Sequence, residues 1–129
     1  MESAFQFTNP VLTGIEFLLN SGFSNQDNEE IQIKMNIAVN ISKADNNEAE
    51  VSLICEIGEK SEKSPFWIKA EEKAKFRWED EIDEELADKL LNQNAPSLLI
   101  SYLRPIVGQV TMASPYGAYN IPFINFTKK

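Results

Sequence analysis

The sequence contains no histidine, a single cysteine and only five glycines among 129 residues. Without an imidazole, a Ser-His-Asp triad, a Cys-His pair and a histidine-ligated zinc site are all excluded. A single cysteine cannot close an internal disulfide, so nothing points to an oxidising compartment. Neither common glycine-rich phosphate loop is present. These absences predict a protein that is not an enzyme and that holds no cofactor or metal.

Long apolar runs are also missing. No stretch approaches the roughly 18 residues that are needed to span a bilayer. The first residues lack the basic and apolar regions of a secretory signal. We therefore expect a cytoplasmic protein that does not insert into membranes. The length fits one domain over residues 1–129, and an apolar fraction of 43% is enough to form a core.

Acidic residues outnumber basic residues by 20 to 12, and the excess lies in one segment. Seven acids and no base fall between Glu79 and Asp88. This pattern predicts the start of a helix, where acids stabilise the positive end of the helix dipole. An acidic surface for a partner and a metal site at Asp80, Asp83 and Glu84 are the alternatives. The negative charge argues against binding to nucleic acids.

Alternation of apolar and polar residues is the strongest pattern in the chain. From Ile31 to Ile41 every odd residue is apolar, which predicts a strand with one dry and one wet face. Pro10 places the first strand at a sheet edge or at a bulge. Hairpin loops at residues 45–47 and 58–64 predict an α+β fold with a four-stranded antiparallel sheet. The four strands are expected at about residues 4–19, 30–42, 50–58 and 65–78.

The same alternation predicts which side chains form the core. Cys55, Phe76 and Trp78 are expected on the dry face of the sheet, and the odd parity of the first strand adds Val11 to that face. Glu72 alone breaks the apolar set of the fourth strand. The opposite face of that strand is basic, which predicts protection of a sheet surface, with docking of a partner as the alternative. The basic residues are Lys69, Lys73, Lys75 and Arg77.

Two helices, at about residues 82–93 and 96–113, are expected to cover one face of the sheet. The apolar residues of the second helix span an arc of about 200°, roughly twice what contact with one sheet requires. Pro96 suits a first helical turn. Pro105 predicts either a kink near residue 101 or two shorter helices. The wide arc predicts a helix that packs on two sides, with the sheet on one side and another subunit or a bound polypeptide on the other.

Two candidate sites follow from this helix and from the aromatic residues of the loops. A small-residue wedge opposite the arc is the candidate subunit interface, formed by Ser97, Ser101, Arg104 and Gly108. An apolar groove for a bound polypeptide would take eight residues from the arc and the loops. These are Phe23, Leu98, Leu99, Tyr102, Ile106, Val110, Tyr116 and Tyr119.

Several segments carry a family resemblance. Residues 95–104, APSLLISYLR, align without gaps through residues 120–126, NIPFINF. They resemble the helix motif Cys-Pro-x-Ile-Leu-Phe-Pro-Tyr-Ala-Arg and the closing motif Leu-x-Pro-x-Asn-Phe of SecB, the ATP-independent export chaperone. Phe5–Phe7, Ile15–Phe17 and Phe66–Phe76 are similar to the first and fourth strands of that family. The resemblance touches nearly the whole chain and is most specific in the C-terminal motifs.

The resemblance implies a four-stranded antiparallel sheet backed by helices and a homo-oligomer, either a dimer or a tetramer. It also implies a long apolar groove that holds unfolded or precursor polypeptides without catalysis. We therefore expect an ATP-independent holdase of the SecB type, with protein export as one setting. The alternative is a dedicated adaptor or chaperone for one partner, such as an antitoxin, that acts independently of SecA.

Some positions depart from the family pattern. The three acids with which SecB docks the motor SecA correspond here to Gly14, Leu18 and Lys69, so we expect weak or absent binding to SecA. Pro105 replaces the acid that follows the arginine of the family motif. The sequence ends at Lys129, where SecB continues into a further helix and an acidic tail. The resemblance therefore supports the groove rather than the SecA docking surface.

Overall fold

The computed structural model describes residues 2–24 and 32–127. The described residues form an antiparallel sheet and a C-terminal helical region, which confirms the α+β class. The elements, in chain order, are β1 (Phe5–Phe7), β2 (Val11–Leu19), β3 (Met35–Ala44), β4 (Glu48–Gly58), β5 (Phe66–Trp78), α1 (Glu84–Lys89) and α2 (Ala95–Met112).

The strand order across the sheet is β1–β5–β4–β3, and β2 also pairs with β5. β1 pairs with the Phe76–Trp78 end of β5 and β2 with the Phe66–Lys73 part, so the two lie end to end along one edge. The predicted single strand at residues 4–19 is therefore two strands, interrupted at Thr8–Pro10. The expectation that Pro10 lies at a sheet edge is confirmed, because β1 and β2 on either side of it form the edge of the sheet. Proline is tolerated at an edge because it has no N–H to donate to a ladder.

The odd-numbered residues of this edge do not all lie on the dry face, as the alternation in the sequence suggests. Val11 pairs with Lys73 and Leu12 with Glu72, and the pairing then shifts between Leu12 and Gly14. Val11 therefore faces the wet side, where its residue surface is 58% exposed, and its assignment to the dry face is wrong. The physical reason is a β-bulge, which inserts one unpaired residue and exchanges the two faces.

The turn between β3 and β4 occupies residues 45–47, where a hairpin loop is predicted, but the two strands reach closer to it than expected. β3 ends at Ala44 rather than at residue 42, and β4 begins at Glu48 rather than at residue 50. The backbone φ angles are 65° at Asn46 and 58° at Asn47. Asparagine tolerates this left-handed region, which allows a short turn. The predicted start of the second strand, at residue 30, lies outside the described residues.

The two predicted helices form one continuous helical region. A π-helical turn, Leu90–Asn94, joins α1 to α2, and the Ala95 N–H bonds to the Leu90 carbonyl five residues earlier. Pro96 has no N–H with which to restore the four-residue spacing at this point. α2 continues through Pro105 as a single α-helix, so the alternative of two shorter helices is wrong. The kink near residue 101 stays a prediction.

The acidic segment caps the start of α1, as predicted. The Asp83 carboxylate accepts a hydrogen bond of 2.8 Å from the Leu86 N–H, and α1 begins at Glu84 rather than at residue 82. Nearby, the Asp80 carboxylate accepts a bond of 2.7 Å from the Asn47 side-chain amide. These contacts give the acids a structural role, because capping satisfies donors that the first helical turn leaves free.

The core lies between the dry face of the sheet and α2. The buried side chains of β4 and β5 pack with Leu99 and Leu103 of α2. Cys55 and Phe76 are buried, as predicted, whereas Trp78 is half-buried at the rim. Burial raises the pKa of the Cys55 thiol to about 11. α2 covers the two central strands, so apolar side chains of β2 and β3 remain only partly buried.

Candidate functional site

The two flanks of α2 meet different parts of the chain. The Tyr102 ring packs edge-on against the Phe7 ring, with centroids 6.4 Å apart, which places one flank over β1. Arg104 lies about 200° further round the helix. Its guanidinium donates to the carbonyl oxygens of Ile121, at 2.7 Å, and Pro122, at 3.1 Å. Because β1 and β3 lie on opposite sides of the two central strands, the second flank faces β3.

The flank over β1 and β2 presents apolar side chains that the fold leaves partly uncovered. Phe7 is 41% exposed and Tyr102 is 40% exposed. Ile106 and Val110, on the following turns of the same flank, are half-buried, as is Leu12 on the adjacent strand. None of these residues is charged. We call this surface the apolar groove; it comprises Phe7, Leu12, Ile15, Tyr102, Ile106 and Val110.

A carboxyl group is buried beside this groove. Glu72 lies on the dry face of β5, and the register places it between Leu12 of β2 and Leu53 of β4. It is 2% exposed, and its Oε2 has no hydrogen-bond partner within the described residues. Burial raises the pKa of the Glu72 carboxyl, because an apolar environment disfavours the charged form.

The flank over β3 is covered by the C-terminal segment, residues 118–127. Gly108 is buried beneath this segment, and a Cβ atom built there would lie 3.7 Å from the Asn120 Oδ1. Ser97 borders a cavity that is also lined by Ile124–Thr127. The segment therefore lies against this flank, at a distance where a methyl group at position 108 would make an ordinary van der Waals contact.

Two of the four residues predicted for a subunit interface, Ser97, Ser101, Arg104 and Gly108, contact this segment. Gly108 is buried and Arg104 is bonded to the C-terminal segment, whereas Ser97 and Ser101 are exposed. The interface itself stays a prediction. Ser101 is exposed and donates to the Leu98 carbonyl of its own helix. The C-terminal segment therefore covers the wedge opposite the apolar arc, and the second partner predicted for the arc stays a prediction.

Helix residues predicted for the groove fall into three positions. Tyr102, Ile106 and Val110 line the apolar groove. Leu98 is half-buried on the outer face of α2. Leu99 is 0% exposed in the core, so its assignment to the groove is wrong. The reason is its helical angle, which turns its side chain towards the sheet with Leu103.

Loop aromatics gather at the far end of the sheet. The Phe23 ring packs edge-on against the Tyr116 ring at 5.8 Å, and Tyr116 is 45% exposed. Tyr119 instead packs against the Phe66 ring at 6.1 Å, and its N–H donates to the Thr111 Oγ1 at 2.6 Å. Burial raises the pKa of the Tyr119 hydroxyl. The structure therefore brings Phe23 and Tyr116 together at the surface and uses Tyr119 to hold the C-terminal segment against the core.

Phe7 is a groove residue that sequence reasoning missed. Its alternation with Phe5 is typical of the dry face of a strand, and the pairing of Phe7 with Phe76 places it there. The information that was lacking is the lateral position of α2. Because α2 lies over the central strands, Phe7 at the sheet edge stays partly exposed and meets Tyr102.

The basic face of β5 has acidic partners on the neighbouring strand. The register places Lys69, Lys75 and Arg77 directly opposite glutamates of β4. The Lys73 ammonium lies 3.6 Å from the Glu50 carboxylate. Opposite charges across a strand pair stabilise the sheet, so this face has a structural explanation.

Residues 2–24 and 32–127 contain no group of three or more histidine, cysteine, aspartate and glutamate side chains that could hold a metal ion. In the same ranges no helix is long and apolar enough to cross a bilayer.

Comparisons with known proteins agree with this architecture. The family model of SecB, described as preprotein translocase subunit SecB, matches residues 18–128. No curated protein matches the chain. A SecB-like chaperone of Mycobacterium tuberculosis, solved in complex with a ChAD peptide from the HigA1 antitoxin, has a TM-score of 0.68 and 13% identity, covering 94% of this chain and 91% of its own.

A second solved structure is more distant. A protein of unknown function from Streptococcus agalactiae has a TM-score of 0.50 and 8% identity, covering 92% of this chain and 97% of its own. At these identities the two structures show the fold alone. The family match extends from the end of β2 through the C-terminal segment and includes all of α2. The chain therefore belongs to the SecB family.

Proposed function

We propose that this chain is an ATP-independent holdase that binds unfolded or precursor polypeptides in the apolar groove. The observation that carries the proposal is the pair formed by Phe7 and Tyr102, two uncharged aromatic side chains left 41% and 40% exposed beside a filled core. Membership of the SecB family supports a chaperone role. The M. tuberculosis relative, which is bound to an antitoxin peptide, supports recognition of a polypeptide.

The mechanism needs no catalysis. An unfolded polypeptide exposes apolar side chains, and burying them contributes about 25 cal/mol for each Å² removed from water. Aromatic and aliphatic contacts do not demand a particular hydrogen-bond pattern, so the same surface accepts varied sequences. Many weak contacts then hold a client without nucleotide hydrolysis.

Suppression of aggregation tests the holdase activity. We expect a molar excess of the wild-type protein to suppress light scattering when a urea-denatured model protein is diluted into buffer. Tyr102→Ser should require several-fold more protein for the same effect, because it removes an exposed groove side chain without opening the core. Phe123→Ser is the matched control, since Phe123 is 98% exposed but lies outside the groove. Unchanged scattering at any excess of wild-type protein contradicts the proposal.

The second candidate is a dedicated chaperone for a single partner, such as an antitoxin. The complex of the M. tuberculosis relative favours it, because that protein holds a peptide from one antitoxin. Titration of several unrelated unfolded polypeptides separates the two functions. A holdase binds most of them with similar affinity, whereas a dedicated chaperone binds one.

We also propose that the protein is cytoplasmic and forms a homo-oligomer, either a dimer or a tetramer. The outer face of α2 supports the homo-oligomer, because this face carries no charge and its Met112 is 66% exposed. Leu98, Ser101, Pro105 and Gln109 complete that face. Sedimentation velocity checks the proposal, and a monomer at every concentration contradicts it.

Binding to SecA is expected to be weak or absent. Leu18, at one of the positions that correspond to the docking acids of SecB, is 49% exposed. Gly14 is also exposed, so neither position offers a carboxylate to a basic partner surface. A titration that gives micromolar or tighter affinity for SecA contradicts this expectation.

A further inference from the structure

Glu72 is the one charged residue on the dry face of β5. Its neighbours on the same face of the strand, Ala70 and Ala74, carry only methyl groups. In the two adjacent strands Glu72 is paired with Leu12 of the apolar groove on one side and with the fully buried Leu53 on the other. Neighbouring strands are about 4.8 Å apart, so the carboxyl group lies one strand spacing inside the groove.

Nothing in the described part of the chain balances this carboxyl group. Its Oε2 has no hydrogen-bond partner there, and none of the ion pairs formed by residues 2–24 and 32–127 includes Glu72. The next residue, Lys73, lies on the opposite face of the sheet, with its ammonium 3.6 Å from the Glu50 carboxylate. Glu72 is therefore a buried acceptor without a donor from the described residues.

The fold gains no stability from a carboxyl group at this position. An apolar side chain would continue the alternation of β5, whereas a buried acceptor without a partner lowers stability. Glutamate is almost never fully buried unless it is paired. An unpaired acceptor one strand away from a partly open groove therefore points to a donor that comes from outside the chain.

We propose that Glu72 binds one basic side chain of a client, a lysine or an arginine, when an apolar segment of that client fills the apolar groove. A lysine stem of four carbons spans one strand spacing and is itself apolar, so it packs against Leu12 while the ammonium reaches the carboxylate. A charged donor supplies the hydrogen bond that Oε2 lacks, and the pair is stronger away from water than at a surface. The groove therefore selects apolar segments that contain a basic residue. This inference rests on the proposed holdase function and names a residue that determines its specificity.

The carboxyl group is reached through the edge strand. Glu72 is 2% exposed in the free protein. The residue paired with it on the groove side, Leu12, is only half-buried and adjoins the bulge of β2. A change of the Leu12 rotamer therefore uncovers the carboxyl group without a rearrangement of the core.

Charge favours a client over a second copy of the chain as the source of the base. The chain has 20 acidic and 12 basic residues, so a second copy brings more acid than base, whereas a basic segment is attracted. Several bases of the chain are also engaged. Lys34, Lys43 and Lys73 form ion pairs, and Arg104 donates to the C-terminal segment.

The affinity for two matched peptides tests the proposal. The probe is a labelled, end-capped peptide of leucine, phenylalanine and serine with one central lysine, and its affinity is measured by fluorescence anisotropy. The comparison peptide carries norleucine, which keeps the apolar stem and removes the ammonium. We expect the wild-type protein to bind the lysine peptide about tenfold more tightly than the norleucine peptide. Glu72→Gln should bind the two peptides equally.

Glu16→Gln is the matched control. It removes an equal charge from an exposed carboxyl group on the opposite face of the sheet, so it should keep the tenfold preference for lysine. The same preference in the wild-type protein and in Glu72→Gln overturns the proposal.

A second arm uses the wild-type protein alone, so that it does not depend on the behaviour of a variant. At about 1 M salt the screening length falls to about 3 Å, which removes attraction between surface charges but affects a buried pair much less. The preference for lysine over norleucine should therefore persist. Loss of the preference at high salt would show that the acidic surface attracts the peptide, and would overturn the proposal.

The outcomes separate this inference from the holdase itself. If the wild-type protein suppresses aggregation and binds the two peptides equally, the holdase stands and the role of Glu72 fails. If it neither suppresses aggregation nor binds either peptide, both fail. If Glu72→Gln changes the oligomeric state and keeps the preference for lysine, the carboxyl group serves a second copy and the proposal is overturned.

Discussion

The two edges of the sheet leave different groups free. The β1 and β2 edge is interrupted at Thr8–Pro10 and shifted between Leu12 and Gly14, but the α2 flank above it is apolar and open. The β3 edge is continuous, and the α2 flank above it is covered by the C-terminal segment. One side therefore presents apolar side chains, and the other presents unpaired main-chain groups.

This difference has one geometric origin. A helix with its side chains is about 10 Å wide, whereas four strand positions spaced by about 4.8 Å span roughly 15 Å between the outer strands. One helix over the central strands cannot cover both edges. The C-terminal segment covers the helix flank on one side and leaves the flank on the other side open.

The largest expected effect distinguishes the N–H groups of β3 that bond to β4 from those that face the open edge. The Gly58 N–H donates to the Lys34 carbonyl at 2.8 Å, so even-numbered residues of β3 bond to β4 and odd-numbered residues face the open edge. Asn40→Pro should lower the free energy of unfolding by about 3 kcal/mol, because it removes a hydrogen bond to β4 and forces the ring into the ladder. Val39→Pro should lower it by about 1 kcal/mol or less, since its N–H faces the open edge. Urea denaturation measures both values. Equal losses of unfolding free energy would show that the main chain of β3 is hydrogen-bonded along both of its edges.

The next effect concerns the covered flank. Arg104→Met should lower the free energy of unfolding by about 2 kcal/mol, because two carbonyl oxygens of the C-terminal segment lose a charged donor. The segment should also become sensitive to limited proteolysis. Ser101→Ala is the control, since its hydroxyl bonds only within its own helix. An intact segment in the Arg104 variant would argue that the apolar contacts alone hold it.

A pH-dependent effect is expected beside the open flank. The pKa of Glu72 is raised above its ordinary value of 4.5, so its stabilising contribution is complete below that value and is lost as the pH rises through the folded-state pKa. Glu72→Gln should therefore be more stable than wild type at pH 7, by about 1 kcal/mol. The difference should shrink below pH 4.5. Thermal melting across this range measures it, with exposed Glu2→Gln as the control, and a constant difference contradicts the assignment.

The smallest effect on stability is expected from replacing the proline that separates β1 from β2. Pro10→Val should change the free energy of unfolding by less than about 1 kcal/mol, because residue 10 lies between β1 and β2 rather than in a ladder. It should nevertheless increase self-association, since it makes this edge resemble that of β3. Sedimentation velocity detects the change. Unaltered association would mean that the bulge alone protects the edge.

Much of the fold was predictable from local patterns. Alternation indicated the strands and placed Cys55 in the core, and Pro10 indicated an edge. The same reasoning failed at Val11, because a bulge changes parity without leaving a mark in the sequence. It failed at Leu99 because the predicted arc did not separate the side chains that meet the sheet from those that face outwards.

The positions of the predicted site residues were foreseeable only in part. The helix residues Tyr102, Ile106 and Val110 follow from periodicity, but their partner Phe7 follows from the lateral position of α2. The small-residue wedge suggested a second subunit, whereas Arg104 and Gly108 in fact meet the C-terminal segment. Composition alone could not identify the C-terminal segment as an occupant, because Arg104 and the segment meet only through the fold of the chain.

The sequence by itself determined where strands and helices form, which faces are apolar and which chemistries are absent, because these depend on near neighbours along the chain. Only the tertiary structure decided which flank of α2 stays open, which sheet edge stays unpaired and where the carboxyl of Glu72 is buried. Those features depend on contacts between distant segments, such as Phe7 with Tyr102, and on one helix being narrower than the sheet that it covers.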